Sequence, residues 1–155
     1  MNSEAAVILL VEDDDDHAEL LKASLASHRV PHCVIRVSDG EAAMAYLERR
    51  GVYSDPSRSP RPALVLLDLR LPKMDGIEVL AAIKTSPELA KTPVVMLTTS
   101  DADKDVAAAY EHHANSYVVK PVGFTRLVEL MDTLCTYWIG WNQPAWAPEG
   151  KNRKT

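Results

Sequence analysis

The strongest constraint on the fold is a strict alternation between short, continuously apolar runs and longer segments whose apolar residues recur at helical spacing. Continuous apolar runs rich in branched residues are typical of strands that are buried on both faces of a parallel sheet. A helical segment follows each run, the last one marked by Leu127, Leu130 and Leu134. The runs themselves lie at Ala6 to Val11, His32 to Val37, Ala63 to Leu67, Pro93 to Thr98 and Ser116 to Val119.

This alternation predicts an α/β fold, with a doubly wound parallel sheet, right-handed crossovers and helices on both faces. The length of 155 residues suits one compact domain, and 46% apolar with 25% charged residues is an ordinary globular composition. Ligands of such sheets bind at the carboxyl ends of the strands, where the strand order reverses. The functional residues are therefore expected directly after the strands.

Charge and hydropathy argue against two classes of function. A net charge of −5 offers no basic surface for nucleic-acid phosphates, so direct binding of DNA or RNA is not expected. Because no apolar run approaches the roughly 20 residues that span a bilayer, and no basic signal segment begins the chain, a cytoplasmic protein without membrane contact is predicted. Cys33 and Cys135 lack metal-ligand spacing and are predicted to be free thiols.

Five consecutive acidic residues, 12–16, follow the first apolar run. Asp15 and Asp16 fit the first turn of the next helix, where negative charge meets unpaired N–H groups. Glu12 and Asp13 fall instead at the carboxyl end of the first strand, where the site is expected. One or two carboxylates suffice to bind Mg²⁺, which prefers oxygen ligands. The sequence therefore predicts a magnesium site that includes Glu12 and Asp13.

Three other strand ends supply further polar groups. Asp68 directly follows the third apolar run, where an unpaired carboxylate is costly, so it is predicted to be ligated or reactive. Thr98 ends the fourth run, and Lys120 follows the fifth. A carboxylate nucleophile, a metal ion, a hydroxyl group and an ammonium group are what phosphoryl transfer to an aspartate requires.

The motifs at these strand ends resemble those of the receiver domain of two-component response regulators. V-E-D ends the first strand, L-L-D-L-R-L-P-K-M-D-G contains Asp68, L-T-T-S ends the fourth strand and Y-V-V-K-P ends the fifth. The resemblance covers about Val7 to Leu134. It implies a flavodoxin-like sheet with strand order 2-1-3-4-5, and a signalling protein rather than an enzyme, with at most slow self-dephosphorylation.

The resemblance also implies a role for each residue of the site. Asp68 would accept a phosphoryl group from the phosphohistidine of a histidine kinase, with Mg²⁺ as the cofactor. Thr98 and Lys120 would hold the phosphoryl oxygens. The implied metal ligands are Asp13, Asp68, the backbone carbonyl of Arg70 and, through water, Glu12.

Receivers of this kind switch when the Thr98 hydroxyl moves toward the phosphoryl group and an aromatic residue on the fifth strand turns inward. Tyr117 matches that aromatic residue, although a half-buried strand tyrosine without a switching role is the alternative. The resemblance further implies a cis peptide between Lys120 and Pro121, since X–Pro bonds have a small cis penalty.

Two positions depart from the usual receiver pattern, and two other interpretations remain open. Arg70 stands where many receivers carry a smaller or neutral residue, and Glu12 replaces the commoner aspartate. One alternative is a pseudo-receiver that binds partners without phosphorylation. The other is a phosphohydrolase with an aspartate nucleophile, but Leu69 and Arg70 follow Asp68 and leave no D-x-D acid to protonate the leaving group.

We predict a receiver domain over residues 5–134 and a partly disordered C-terminal extension over 135–155, too short for a DNA-binding or catalytic output domain. The chain is thus predicted to be a stand-alone receiver, and its motifs resemble small response regulators paired with phytochrome-type histidine kinases. A histidine kinase, with a bacteriophytochrome as the candidate, is the expected partner. A homodimer through the fourth helix, fifth strand and fifth helix is also expected. Trp138, Trp141 and Trp146 suggest that the extension joins this contact, with intrachain packing as the alternative.

Overall fold

The computed structural model describes residues 5–26, 28 and 32–145. Five strands form one parallel sheet: β1 (Ala6–Val11), β2 (His32–Val37), β3 (Leu64–Leu67), β4 (Val94–Thr98) and β5 (Ser116–Val119). Their order is β2-β1-β3-β4-β5, so the predicted doubly wound sheet is confirmed. Five α-helices alternate with them: α1 (Asp15–Ala26), α2 (Gly40–Glu48), α3 (Gly76–Thr85), α4 (Asp103–Glu111) and α5 (Phe124–Cys135).

Side-chain caps define where two of the helices begin. The Asp39 carboxylate accepts a hydrogen bond from the backbone N–H of Ala42 at 2.7 Å, which starts α2. Asp75 starts α3 in the same way, by accepting from the N–H of Ile77 at 2.9 Å. Each cap satisfies a backbone donor that has no partner within the helix. Because α2 follows β2 and α3 follows β3, both helices begin at the edge of the sheet where the strands end.

Each face of the sheet has its own apolar core, because successive side chains of a strand point to opposite faces. On one face, Leu9, Val11 and Leu67 are fully buried beneath α2 and α3. On the other face, Ile8 and Leu66 are buried beneath α1 and α5. Burial on both faces explains why β1 and β3 have continuous apolar sequences rather than alternating ones. These two strands form the rigid centre on which the site is built.

The segment between α2 and β3 is an ordered loop with two short 3₁₀ turns, Gly51–Tyr53 and Pro56–Arg58. It is fastened to α2, since the Tyr46 hydroxyl donates to the Pro60 carbonyl at 2.6 Å. Burial raises the pKa of Tyr46 and so further favours the protonated hydroxyl that donates this bond. The stretch 50–62, which contains three prolines, is thus bonded to the rest of the domain.

The chain continues beyond α5 as a π-helical segment, Thr136–Trp141. Trp138 and Ile139 of this segment pack against the core under α1 and α5, whereas Trp141 is 77% exposed. The expected tryptophan cluster is therefore divided, with Trp138 packed within the chain. Trp146 and the polar tail predicted to be disordered lie outside the described residues.

Two smaller expectations are also tested. Cys33 and Cys135 are free, and burial raises the pKa of the Cys135 thiol to about 11, as suits an unreactive core residue. Within the described ranges, none of the helices has the length and apolar character needed to cross a membrane.

Candidate functional site

Three carboxylates meet where β1 and β3 end. Val11 pairs with Leu67 in the parallel register, so the residues that follow them, Glu12 and Asp68, lie side by side. Oxygen atoms of Glu12, Asp13 and Asp68 all lie within 4.8 Å of one another. The structure therefore brings together the three acids that the sequence predicts for the site.

Backbone contacts hold these acids at the edge of the sheet. The N–H of Glu12 donates to the carbonyl of Val37 at 3.1 Å, and that of Asp68 donates to the carbonyl of Val11 at 3.1 Å. Arg36, on the neighbouring strand β2, adds a bond from its Nε to the Glu12 carbonyl at 2.9 Å. The acids are thus presented by strand ends rather than by a mobile loop, which favours a precise site.

Gly76 allows α3 to start directly against the backbone of Asp68. A Cβ atom at this position would lie 2.2 Å from the Asp68 carbonyl oxygen, far inside van der Waals contact. Only glycine therefore permits this approach, and the N–H of Gly76 donates to the Leu69 carbonyl at 3.0 Å. This contact gives a structural reason for the D-G pair that begins the helix.

Lys120 reaches from the end of β5 into the acidic cluster. Its Nζ donates to Glu12 Oε1 and lies 3.4 Å from Asp68 Oδ2. Its side chain is only 8% exposed, so water screens these contacts weakly. Nδ1 of His17, in the first turn of α1, also lies 3.4 Å from Nζ, a contact that the sequence analysis missed because nothing in the helical pattern marks it.

Burial raises the pKa of Glu12 above its ordinary value, and the neighbouring charge of Asp68 adds to this effect. The hydrogen bond from Lys120 acts in the opposite direction and favours the ionised form. One ammonium against three carboxylates still leaves surplus negative charge. Hard oxygen donors with such a surplus fit a divalent cation such as Mg²⁺, so the residues present suit the metal that the sequence predicts.

Thr98 ends β4 with its side chain buried, at 1% exposure. Its carbonyl accepts from the N–H of Lys120 at 2.7 Å, which links the ends of β4 and β5. Tyr117, on β5, is half-buried against the core beneath α2 and α3. Its hydroxyl donates to the backbone carbonyl of Ser100 at 2.9 Å, so the ring is turned inward beneath the β4–α4 loop.

Arg70 points to α4 rather than into the acidic cluster. Its guanidinium lies 3.4 Å from Asp105 Oδ2, and its side chain is 75% exposed. The same carboxylate accepts from the Ser100 hydroxyl at 2.6 Å. Arg70 is an unusual residue in the sequence, but its contact with Asp105 leaves no periodic signal that could predict it. The role of the Arg70 carbonyl as a metal ligand stays a prediction.

The expectation of a cis peptide between Lys120 and Pro121 is wrong for this structure, in which the bond is trans. Trans is the isomer that an X–Pro bond favours, by about 0.5–1 kcal/mol.

A hollow of about 330 Å³ lies beside the site, between α1 and the β5–α5 loop. Its lining includes His17 and Lys120, which also border the acidic cluster. The rim carries exposed apolar side chains, with Leu20 at 41%, Phe124 at 50% and Val122 at 95% exposure. An apolar surface is thus available next to the reactive edge of the sheet.

Doubly wound sheets serve many unrelated functions, so the chemistry at the strand ends decides among them. Acids at the first and third strand ends, facing a lysine from the fifth, are the arrangement of a receiver domain. The fold and the site together therefore define the class that the motifs predict.

The chain belongs to the response regulator receiver domain family, whose family model matches residues 8–132. Response regulator Rcp1 of Synechocystis sp. is 45% identical over 133 residues, which cover 86% of this chain and 88% of that protein. Probable methanogenesis regulatory protein FilR2 of Methanothrix harundinacea is 44% identical over 137 residues, which cover 88% of this chain and 86% of that protein.

Solved structures of receivers are similar as well. The phosphorylated cyanobacterial phytochrome response regulator RcpA superposes with a TM-score of 0.86 at 40% identity, covering 92% of this chain and 99% of that one. The Mn²⁺-bound form of Rcp1 superposes with a TM-score of 0.84 at 42% identity, covering 91% and 99%. The chain is therefore close to phytochrome response regulators, as its motifs predict.

Proposed function

We propose that this protein is a response regulator that accepts a phosphoryl group on Asp68 from the phosphohistidine of a histidine kinase. The observation that carries the proposal is the convergence of Glu12, Asp13, Asp68 and Lys120 on one edge of the sheet. A carboxylate oxygen of Asp68 attacks phosphorus, and the P–N bond to the histidine breaks. The imidazole leaves with the bonding electron pair, while the aspartate becomes an acyl phosphate.

Mg²⁺ is the proposed cofactor, held by Asp13, Asp68, the Arg70 carbonyl and, through water, Glu12. When bound, it neutralises charge on the acids and on the phosphoryl oxygens, so that two anions can approach. Lys120 is placed to hold a phosphoryl oxygen, since its Nζ already lies 3.4 Å from Asp68. We assign the Thr98 hydroxyl to a second oxygen, because Thr98 ends the strand next to β3.

Thr98 and Tyr117 are the proposed switch. A phosphoryl group adds charge and acceptor oxygens, which favour the position of the β4–α4 loop that brings the Thr98 hydroxyl to them. Tyr117 responds because its hydroxyl is bonded to the same loop, at the Ser100 carbonyl. The protein would act on a partner or a second copy through the surface around Thr98 and Tyr117, with no catalysis beyond slow self-dephosphorylation.

The partner that we propose is a phytochrome-type histidine kinase. Relatives described as phytochrome or bacteriophytochrome response regulators support this choice. The apolar rim of Leu20, Val122 and Phe124 is the surface that we assign to the kinase, because it borders Lys120 and faces solvent. The exchange would take place in the cytoplasm, where a kinase finds its ATP.

We also propose a homodimer through α4, β5 and α5. Exposed apolar side chains support it, with Tyr110 of α4 at 49% and Val119 of β5 at 41% exposure. Tyr137 and Trp141, which follow α5, are 52% and 77% exposed. Aromatic residues are enriched at interface hot spots, so Trp141 is the residue of the extension that we assign to the contact.

The decisive experiment incubates the protein with acetyl phosphate and Mg²⁺ and measures its intact mass. The wild type should gain one phosphoryl group, and Asp68→Asn should gain none. Asp16→Asn, which removes an exposed acid of the same acidic run, is the matched control and should behave as the wild type. A wild type without added mass would refute the proposal in favour of a pseudo-receiver, and rapid multiple turnover would point to a phosphohydrolase.

A further inference from the structure

Asp105, in the first turn of α4, joins three separate segments of the chain. Its carboxylate accepts from the Ser100 hydroxyl at 2.6 Å and pairs with the Arg70 guanidinium at 3.4 Å. Ser100 belongs to the β4–α4 loop, and Arg70 follows the proposed phosphoacceptor by two residues. The Asp105 side chain is only 15% exposed, so its carboxylate lies largely out of water, whereas the Arg70 side chain is 75% exposed. No motif of the sequence marks this residue.

The Ser100 hydroxyl makes two hydrogen bonds that hold the β4–α4 loop. It donates to Asp105 and accepts from the backbone N–H of Ala102 at 3.3 Å. The carbonyl of the same serine receives the Tyr117 hydroxyl at 2.9 Å. Asp105 thus holds Ser100, the acceptor of the Tyr117 hydroxyl, although Asp105 and Tyr117 share no hydrogen bond.

The charge of Asp105 has a second effect on Tyr117. Burial raises the pKa of the Tyr117 hydroxyl, whereas the hydrogen bond to Ser100 lowers it. The negative charge of Asp105 raises this pKa further. Burial and the charge of Asp105 both favour the protonated hydroxyl, which is the form that donates to Ser100. Arg70 balances part of this charge, but as a largely exposed partner it contributes less than the short bond from Ser100.

We infer that Asp105 is a positioning residue of the switch, which holds the β4–α4 loop so that Ser100 accepts the Tyr117 hydroxyl and the ring is inward before Asp68 is phosphorylated. The inference rests on the proposed switch at Thr98 and Tyr117 and adds a residue that sets its resting equilibrium. A loop that is already placed leaves phosphorylation less conformational change to drive. The Arg70 contact connects this placement to the segment that carries Asp68.

A purely structural role is the competing explanation, since an acid in the first turn stabilises a helix through its exposed N–H groups. Asp103 lies in the same first turn, is exposed and has the same charge, so Asp103→Asn is the matched control. Asp105→Asn keeps an acceptor for Ser100 without the charge, whereas Asp105→Ala removes both. Ser100→Ala cuts the same link from its other end.

The test uses the full chain labelled with fluorotyrosine, which gives one fluorine resonance for each of the five tyrosines. Tyr117→Phe assigns the resonance of interest, and the shift between H₂O and D₂O measures how exposed the ring is. Without any phosphodonor, Asp105→Ala and Ser100→Ala should raise this isotope shift toward that of exposed Tyr137, and Asp105→Asn should raise it less. The double variant with Asp105→Ala and Ser100→Ala should show no larger isotope shift than either single variant, because each single change already removes the Ser100–Asp105 hydrogen bond.

Phosphorylation from acetyl phosphate provides the second measurement. The maximal rate of Asp105→Ala should fall roughly threefold to tenfold, the range expected for the net loss of one ordinary hydrogen bond, whereas its apparent Mg²⁺ affinity should not change. Asp103→Asn should match the wild type in both measurements.

An unchanged Tyr117 isotope shift in both Asp105→Ala and Ser100→Ala would overturn the inference, as would an equal change in Asp103→Asn. If the wild type accepts no phosphoryl group, the proposed function fails. The fluorine measurement, which needs no phosphodonor, still decides the role of Asp105.

Discussion

Removing the negative charge of Asp68 is expected to stabilise the metal-free protein, although it abolishes the proposed function. Oxygens of Glu12 and Asp13 lie within 4.8 Å of an Asp68 oxygen, and Lys120 Nζ lies 3.4 Å from it. Asp68→Asn keeps the shape of the side chain and its hydrogen-bonding oxygen. It therefore isolates the balance between two repulsions and one attraction.

Coulomb's law gives the magnitude. With an effective dielectric constant of about 20–80, two repulsions over 4.8 Å cost about 2–7 kcal/mol, and one attraction over 3.4 Å returns about 1–5 kcal/mol. The difference predicts a gain of about 0.5–2 kcal/mol in the free energy of unfolding of Asp68→Asn. With a urea dependence of about 2 kcal/mol per molar, the unfolding midpoint should rise by roughly 0.3–1 M.

Urea denaturation in EDTA and in saturating Mg²⁺ tests this balance. In Mg²⁺ the gain should shrink or reverse, because the cation stabilises the wild type in proportion to its affinity and Asp68→Asn loses one ligand. Asp101→Asn removes an exposed acid of the β4–α4 loop and should leave the midpoint in EDTA unchanged. The reasoning fails if Asp68→Asn is no more stable than the wild type in EDTA.

Four further outcomes are expected. The raised pKa of Glu12 means that the folded state binds this proton more tightly, so the metal-free stability should fall as pH rises from 4.5 through the folded-state pKa. In urea titrations at several pH values, Glu12→Gln should lack this fall in stability. An equal pH dependence in the wild type and the variant would contradict the prediction. Gly76→Ala should lower the free energy of unfolding by about 1–3 kcal/mol in thermal melts, since its Cβ would meet the Asp68 carbonyl, so an unchanged melting temperature would disprove the crowding. Phe124→Ser should slow phosphotransfer from an autophosphorylated phytochrome-type kinase by about tenfold while leaving the acetyl phosphate rate unchanged, and equal losses with both donors would argue against a docking role. Trp141→Ser should shift the protein toward monomers in sedimentation, whereas an intact dimer would exclude this residue from the contact.

The element order and the acidic cluster were predictable because both follow from simple rules. Continuous apolar runs reveal strands that are buried on two faces, and parallel strands bring their carboxyl ends to one edge. Once β1 and β3 are neighbours, Glu12 and Asp68 have to lie together. Lys120 and Thr98 follow from the same rule, since each stands at a strand end.

The contacts between loops were not predictable. Asp105 stands in an ordinary acidic first turn, and only the folded chain shows that it receives Ser100 and Arg70. His17 lies next to Lys120 although 103 positions separate them in the sequence, and no pattern encodes this contact. Trp138 looks like its neighbours Trp141 and Trp146 in the sequence, and its partial burial depends on the π-helical segment that follows α5.

The position of Lys120 has a consequence for the reversibility of a signal. A receiver has to pass through states with and without its metal and its phosphoryl group, and each state places a different charge at the same spot. Lys120 already bonds Glu12 and lies near Asp68, so an internal counter-ion is present when no other cation is. In the proposed phosphorylated state, its ammonium group would exchange a carboxylate for a phosphoryl oxygen without leaving the cluster. In the proposed function, hydrolysis of the acyl phosphate and return of the β4–α4 loop reset the signal, and Lys120 would keep the charge at the strand ends balanced by changing partners.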